Sequence, residues 1–171
     1  MIYRFCAWLD MFESSVELRE AAYGYMGLLS VHVVTMAAFA GLIIMMDLRL
    51  VGWGNLGTPI SQLQRRMFPW QMFLMVLTSI SGVLLFYSKP LTYYGKVFFW
   101  IKMVLMVLAG LNALIFHYTV YRDVAKWDTD RILPPAARLA GVFGLILWLG
   151  VIIFGRLTPY NWLDYMIQTT N

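Results

Sequence analysis

The chain is short of several things that soluble enzymes rely on. It has one cysteine, Cys6, so no intramolecular disulfide can form and no thiolate cluster is available to hold a metal. Charged residues make up 13 % of the 171 positions, too few for the surface that a soluble domain of this size needs. There is no Gly-rich phosphate loop, no His-Glu-x-x-His motif, and no nucleophile paired with a base, so hydrolytic chemistry has no support. Histidine occurs only at His32 and His117. The net charge of +4 needs no nucleic-acid partner, because basic residues at helix ends are ordinary in membrane proteins.

What the chain does have is apolar length. Hydrophobic residues make up 61 % of it, and four runs, Met26–Met46, Phe68–Tyr87, Val97–Tyr121 and Leu139–Leu157, each approach or exceed the ~20 residues that a helix needs to cross a bilayer. Lipid offers the backbone no hydrogen-bond partners, and the runs lack the alternation of barrel strands, so they read as helices. The expected fold is an all-α integral membrane four-helix bundle, one domain over residues 1–171. A short interfacial helix over residues 2–13 is expected to precede it, with Ile2, Phe5, Trp8, Leu9 and Phe12 at helical spacing. Ser14 and Ser15 are expected to break that helix, and Ser14 with Glu17 has capping-box spacing for a second helix leading into the first span. The first apolar stretch, Ile2–Leu9, is short, is interrupted by Arg4 and lacks a small-residue cleavage site, so the N-terminus is expected to be kept. Pro134-Pro135 suits the start of the fourth helix.

Arg49, Arg65, Arg66, Arg122, Lys126, Arg131 and Arg138 fall on one side of these spans, and Arg4, Arg19, Lys89 and Lys96 on the other. The positive-inside bias then places the first set in the cytoplasm, with both termini periplasmic in a bacterial inner membrane. Tyr160, Trp162 and Tyr165 suit an aromatic belt at that outer interface.

An ionisable group at membrane depth is costly and usually has a task or a partner. His32 lies six residues into the first run, roughly 10 Å below the outer boundary at 1.5 Å per residue. Lys102 reaches a similar depth on the third span, and Arg156 falls on the same side near the end of the fourth, with Tyr160 behind it. Three cations converging from three helices repel one another unless an anion or a metal complex sits among them. A b-type haem meets that demand, with the His32 imidazole on iron and the propionates compensating Lys102 and Arg156. Met36, Phe39 and Ile43 continue the His32 face as an apolar wall, and Met36 is the nearest same-face candidate for a sixth ligand. The plainer reading is that His32 bonds a carbonyl, Lys102 snorkels and Arg156 meets lipid phosphate.

His117 lies fifteen residues beyond Lys102, roughly 22 Å deeper, so it cannot share one haem with His32 in the same protomer. It could ligate a second haem, line a quinone or proton site, or join a polar network around Asp47. Asn112 reads as interhelical glue. The twelve methionines, Met103 and Met106 among them, read more simply as flexible packing than as a copper path. Gly141, Gly144, Trp148, Ile152 and Gly155 form a stripe suited to close helix packing or to self-association into a homo-oligomer.

With these residues in view, the chain resembles an uncharacterised family of small four-helix bacterial membrane proteins. The likeness spans roughly Gly24 to Tyr160 through His32, Asp47-Leu-Arg-Leu50, Arg65-Arg66, Lys102, Asn112, His117 and Gly155-Arg156. More remotely it looks like the integral-membrane protoporphyrinogen oxidase family and the copper-resistance D family. The oxidase likeness is carried by His32, Gly41, Gly82 and Lys102, and it implies b-type haem with His32 as axial ligand and Lys102 as essential partner. The leading expectation is a membrane haem protein serving electron transfer or redox chemistry with quinone or porphyrin. The alternatives are a non-catalytic oligomeric membrane protein that binds lipid, such as a channel or accessory subunit, and a metal transporter.

Overall fold

In the computed structural model, which describes residues 1–54, 57–128, 130 and 133–160, four helices are long and apolar enough to cross a membrane. Two short helices come first, α1 (Ile2–Asp10) and α2 (Glu13–Glu20). The chain continues through α3 (Ala22–Val51), α4 (Ile60–Ser88), the one-turn α5 (Pro90–Tyr94), α6 (Val97–Ile115) and α7 (Pro135–Leu157). Arg131, Trp162 and Tyr165, which entered the charge and belt readings, lie outside the described residues.

The helices outrun their apolar cores. α4 begins at Ile60, well upstream of the apolar run at Phe68. Gln62, Arg65 and Arg66 lie on its exposed side, while Ile60, Leu63 and Met67 are buried at helical spacing. Their buried face joins Met46, Leu50, Trp127, Leu133 and Ala137 in the largest apolar cluster. That cluster ties the C-terminal end of α3 to the starts of α4 and α7. α3 ends because Gly52 adopts φ 98°, open to a residue without Cβ, and the Gly52 and Trp53 N–H groups turn back onto the Leu48 carbonyl at 3.2 and 2.8 Å. Pro135 opens α7, as the Pro-Pro pair suggests.

Two local expectations are corrected. Ser14 and Ser15 do not break a helix but lie inside α2, which Phe12 precedes without a side-chain cap. Their hydroxyls instead reach the end of α4: Ser14 Oγ pairs with Tyr87 Oη at 2.7 Å, and Ser15 Oγ donates to the Tyr87 carbonyl at 2.7 Å. The break before the first long helix falls at Ala21, with ψ 94°. Arg19 closes on Asp10 at 2.9 Å and so ties α2 back to α1.

α3 packs along both α4 and α7, and α6 packs along α7. Among the described residues no comparable seam joins α4 to α6. At the α5 end this opening is roofed by rings from three elements. Phe86 stacks on Phe99 at 5.7 Å and 15°, and Tyr93 lies 5.5 Å from Phe99.

The glycine stripe of α7 is taken up inside the chain. A Cβ at Gly141 would lie 2.8 Å from the Asp47 carbonyl oxygen, and one at Gly155 would lie 3.6 Å from Lys102 Cδ. Trp148 meets Phe39 of α3 edge-to-face at 5.2 Å. The stripe thus serves close packing on α3 and α6.

Candidate functional site

Beneath the aromatic roof, four helices contribute to one small polar centre. Their polar and glycine positions at matching depth bring the groups together: His32 two turns below Tyr25 on α3, Ser81 and Gly82 on α4, Lys102 on α6 and Gly155 on α7.

His32 Nδ1 lies 2.9 Å from Ser81 Oγ. Ser81 in turn donates its one hydroxyl proton to the carbonyls of its own helix, Leu77 at 2.9 Å or Thr78 at 3.1 Å. With the serine proton on its own helix, the proton between them comes from the imidazole. The Thr78 carbonyl is also within hydrogen-bond reach of the ring, and it too can only accept. The Nδ1–H tautomer suits Ser81 as acceptor and leaves Nε2 with its lone pair free. The Thr78 hydroxyl nearby is buried and has no partner among the described residues.

Gly82 sets how closely the imidazole approaches α4. A Cβ there would lie 3.1 Å from His32 Cε1 and 4.0 Å from Nε2, so the ring rests on bare backbone. Lys102 is within electrostatic reach of the imidazole and makes no hydrogen bond or ion pair with any described residue. On its far side a Cβ at Gly155 would stand 3.7 Å from Lys102 Nζ. His32, Gly82 and Lys102 are thus brought together, while Arg156 is not drawn in: α7 turns Gly155 toward Lys102 and leaves Arg156 exposed. Tyr160 is exposed as well, and Met36 is half-buried with no contact that ties it to His32.

Ser81 and the roof residues were missed in the sequence. The signal for Ser81 was present: Ser81-Gly82 interrupts the apolar run seven residues before the end of α4, which is roughly 10 Å of helix and matches the depth of His32. The roof had no comparable signal, because aromatic residues near helix ends are common in membrane proteins.

Tyr93 is the half-buried phenol of the roof. Its hydroxyl meets Tyr25 Oη at 3.4 Å, and Lys89 Nζ lies 4.0 Å over the Tyr25 ring. Burial, and next the hydrogen bond with Tyr25, push the Tyr93 phenol well above the ordinary tyrosine range. Ultraviolet titration of the folded protein is expected to leave a late fraction un-ionised after the exposed tyrosines have ionised, and Tyr93→Phe is expected to reduce that fraction by one residue. A full complement of late steps in the variant would contradict the assignment.

The other histidine stands apart. α6 passes into a π-helical turn, Phe116–Val120, and then a 3₁₀ turn, Tyr121–Lys126. This places His117 on the exposed surface, stacked on Tyr121 at 5.2 Å and 16°. Among the described residues no polar network joins it to Asp47. Asp47 is buried against Gly144, and buried Arg49 donates to the Thr58 carbonyl at 3.3 and 3.2 Å. Asn112 does bridge helices, donating to the Ala140 carbonyl at 3.0 Å. Met103 and Met106 are exposed, and no cluster of three or more His, Cys, Asp or Glu side chains that could hold a metal ion occurs among the described residues.

No curated protein and no solved structure matches the chain. Residues 18–161 match the model of a family of unknown function, DUF6644. The match covers most of the chain, which therefore belongs to that family.

Proposed function

We propose that this family member is a multi-pass membrane protein, a four-helix bundle that holds a b-type haem through His32 and exchanges electrons with a quinone or a porphyrin. The observation that carries the reading is the hydrogen bond between His32 Nδ1 and Ser81 Oγ. A histidine that ligates a metal almost always donates its other ring N–H to a second-shell acceptor, which orients the ring and raises its basicity. Ser81 fills that role, and Nε2 is left as the ligand atom.

The surrounding residues fit the group. His32 would hold the iron, Gly82 keeps the α4 wall thin beside the ring, and Phe86 and Phe99 close the end of the opening with flat apolar faces. Lys102, with no carboxylate partner among the described residues, would compensate a propionate. Arg156 is not needed for that task, and its exposed position near a helix end suits lipid phosphate. When bound, a haem supplies one-electron chemistry at a potential tuned by its axial ligand, nearby hydrogen bonds and burial. This chain's own residues do the rest: they fix the imidazole, place a cation beside it and limit water entry from the α5 end. The likeness of His32, Gly82 and Lys102 to the integral-membrane protoporphyrinogen oxidase family points the same way. The positive-inside bias would put the centre near the outer face of a bacterial inner membrane.

Purified protein from haem-supplemented expression is expected to show a Soret band that His32→Ala removes while helicity by circular dichroism is retained. A wild-type protein without that band, optically identical to the variant, would overturn the reading.

A further inference from the structure

Near the opposite end of α3 a carboxyl group is sealed in the seam with α7. Asp47 is 8 % exposed, and its Oδ2 is buried with no hydrogen-bond partner among the described residues. What faces it from α7 is glycine. A Cβ at Gly144 would overlap the carboxyl group, and a Cβ at Gly141 would press on the Asp47 main-chain carbonyl and on Leu50. The acid therefore looks onto glycine backbone where a partner or water would ordinarily stand.

Among the described residues, the charged groups on the elements around it are engaged or turned elsewhere. On α3 itself, Arg49 is engaged with the Thr58 carbonyl, and His32 lies four turns away at the other centre. α4 offers only neutral Gln71, whose amide reaches the Leu42 carbonyl at 3.5 Å, since Arg65 and Arg66 are exposed. Arg138 of α7 is exposed, as is His117 after α6, and Lys102 lies with His32. Asp128 of the connecting segment is bound to Ser61, with Oδ1 and Oδ2 at 2.8 and 2.5 Å from its N and Oγ. The charged residues of α2 lie at the far end of α3.

A carboxylate ion in such a place, with no counter-charge among the described residues, is strongly disfavoured. The same atoms with a proton carry no net charge. A metal cation would not fit the donor set, since hard cations take about six oxygens and no acidic or histidine cluster is present among the described residues. We infer that Asp47 is a membrane-embedded proton-binding site: its carboxyl is the neutral acid while the α3–α7 seam is closed, and it gives its proton to water at the nearby end of α3 when the seam parts. The O–H bond breaks, the electron pair stays on the carboxylate, and the proton leaves to solvent. No oxidant or reductant takes part.

Infrared spectroscopy of the full-length protein in liposomes tests this without reference to haem. At neutral pH the expected result is a C=O stretch of a protonated carboxylic acid that shifts slowly on transfer to D₂O and is lost in Asp47→Asn. Aspartate-selective ¹³C labelling of the unmutated chain is expected to move the same band, and it decides the matter if the variant fails to fold. No protonated band at neutral pH, or a band indifferent to both the variant and the label, overturns the proposal. A band present in choline buffer but abolished by sodium overturns it too, because a metal cation would then be the ligand.

Discussion

Gly141→Ala is expected to destabilise the protein by about 3 kcal/mol, at the upper end of the usual cost of overpacking a well-filled interior. Its new methyl would stand 2.8 Å from the Asp47 carbonyl oxygen and 2.9 Å from Leu50 Cβ. Neither is the free end of a flexible side chain, so relief requires α3 and α7 to separate. Gly144→Ala acts on the same seam by a different route, since its methyl collides with the Asp47 carboxyl group and forces that side chain out of place. The control is Gly41→Ala, also on a long helix but with nothing within 4 Å of the added carbon. There the ordinary helix preference for alanine applies, and a gain of about 0.5–1 kcal/mol is expected. Reversible unfolding in mixed micelles measures all three. Equal losses at Gly141 and Gly41 would mean that the α3–α7 seam is not as close as described.

These contrasts mark what the sequence could and could not disclose. Hydropathy located four long helices, because burying backbone in lipid demands apolar runs of a minimum length. It missed the first turns of α4, where Gln62, Arg65 and Arg66 break the run although Ile60, Leu63 and Met67 keep the buried face. Depth arithmetic paired His32 with Lys102, since both count inward from the same end. It failed for Arg156 because depth says nothing of direction: one residue further along a helix turns a side chain by about 100°, enough to carry Arg156 away from the side where Gly155 meets Lys102. Glycine spacing on α7 announced a close approach but not the neighbour, and the neighbour proved to be Asp47. The placement of His117 depended on the π turn at Phe116–Val120, a register change that no apolar pattern encodes.

Gly82→Val is expected to abolish haem retention with the helices intact, the largest functional effect anticipated for a residue that would not itself touch the iron. The Gly82 Cβ position is 3.1 Å from His32 Cε1. A single methyl already requires a small shift of the ring, and the branched side chain of valine requires the imidazole to leave the α4 surface. Once the ring moves, Nδ1 loses Ser81 at 2.9 Å, and the proton that defined the Nε2 lone pair is no longer held in place. Ser81→Ala separates these two contributions. It leaves the space unchanged but removes the acceptor, so the Soret band is expected to persist with haem affinity lowered about 10–100-fold, the usual cost of losing a second-shell partner. Nitrogen-15 spectra of histidine in haem-free Ser81→Ala are expected to show His32 as a mixture of tautomers, where the unmutated chain shows the Nδ1–H form alone. Haem binding unaltered in both variants would mean that the imidazole is held by something other than α4. Loss in Ser81→Ala equal to that in Gly82→Val would mean that the hydrogen bond, and not the space beside the ring, governs the site.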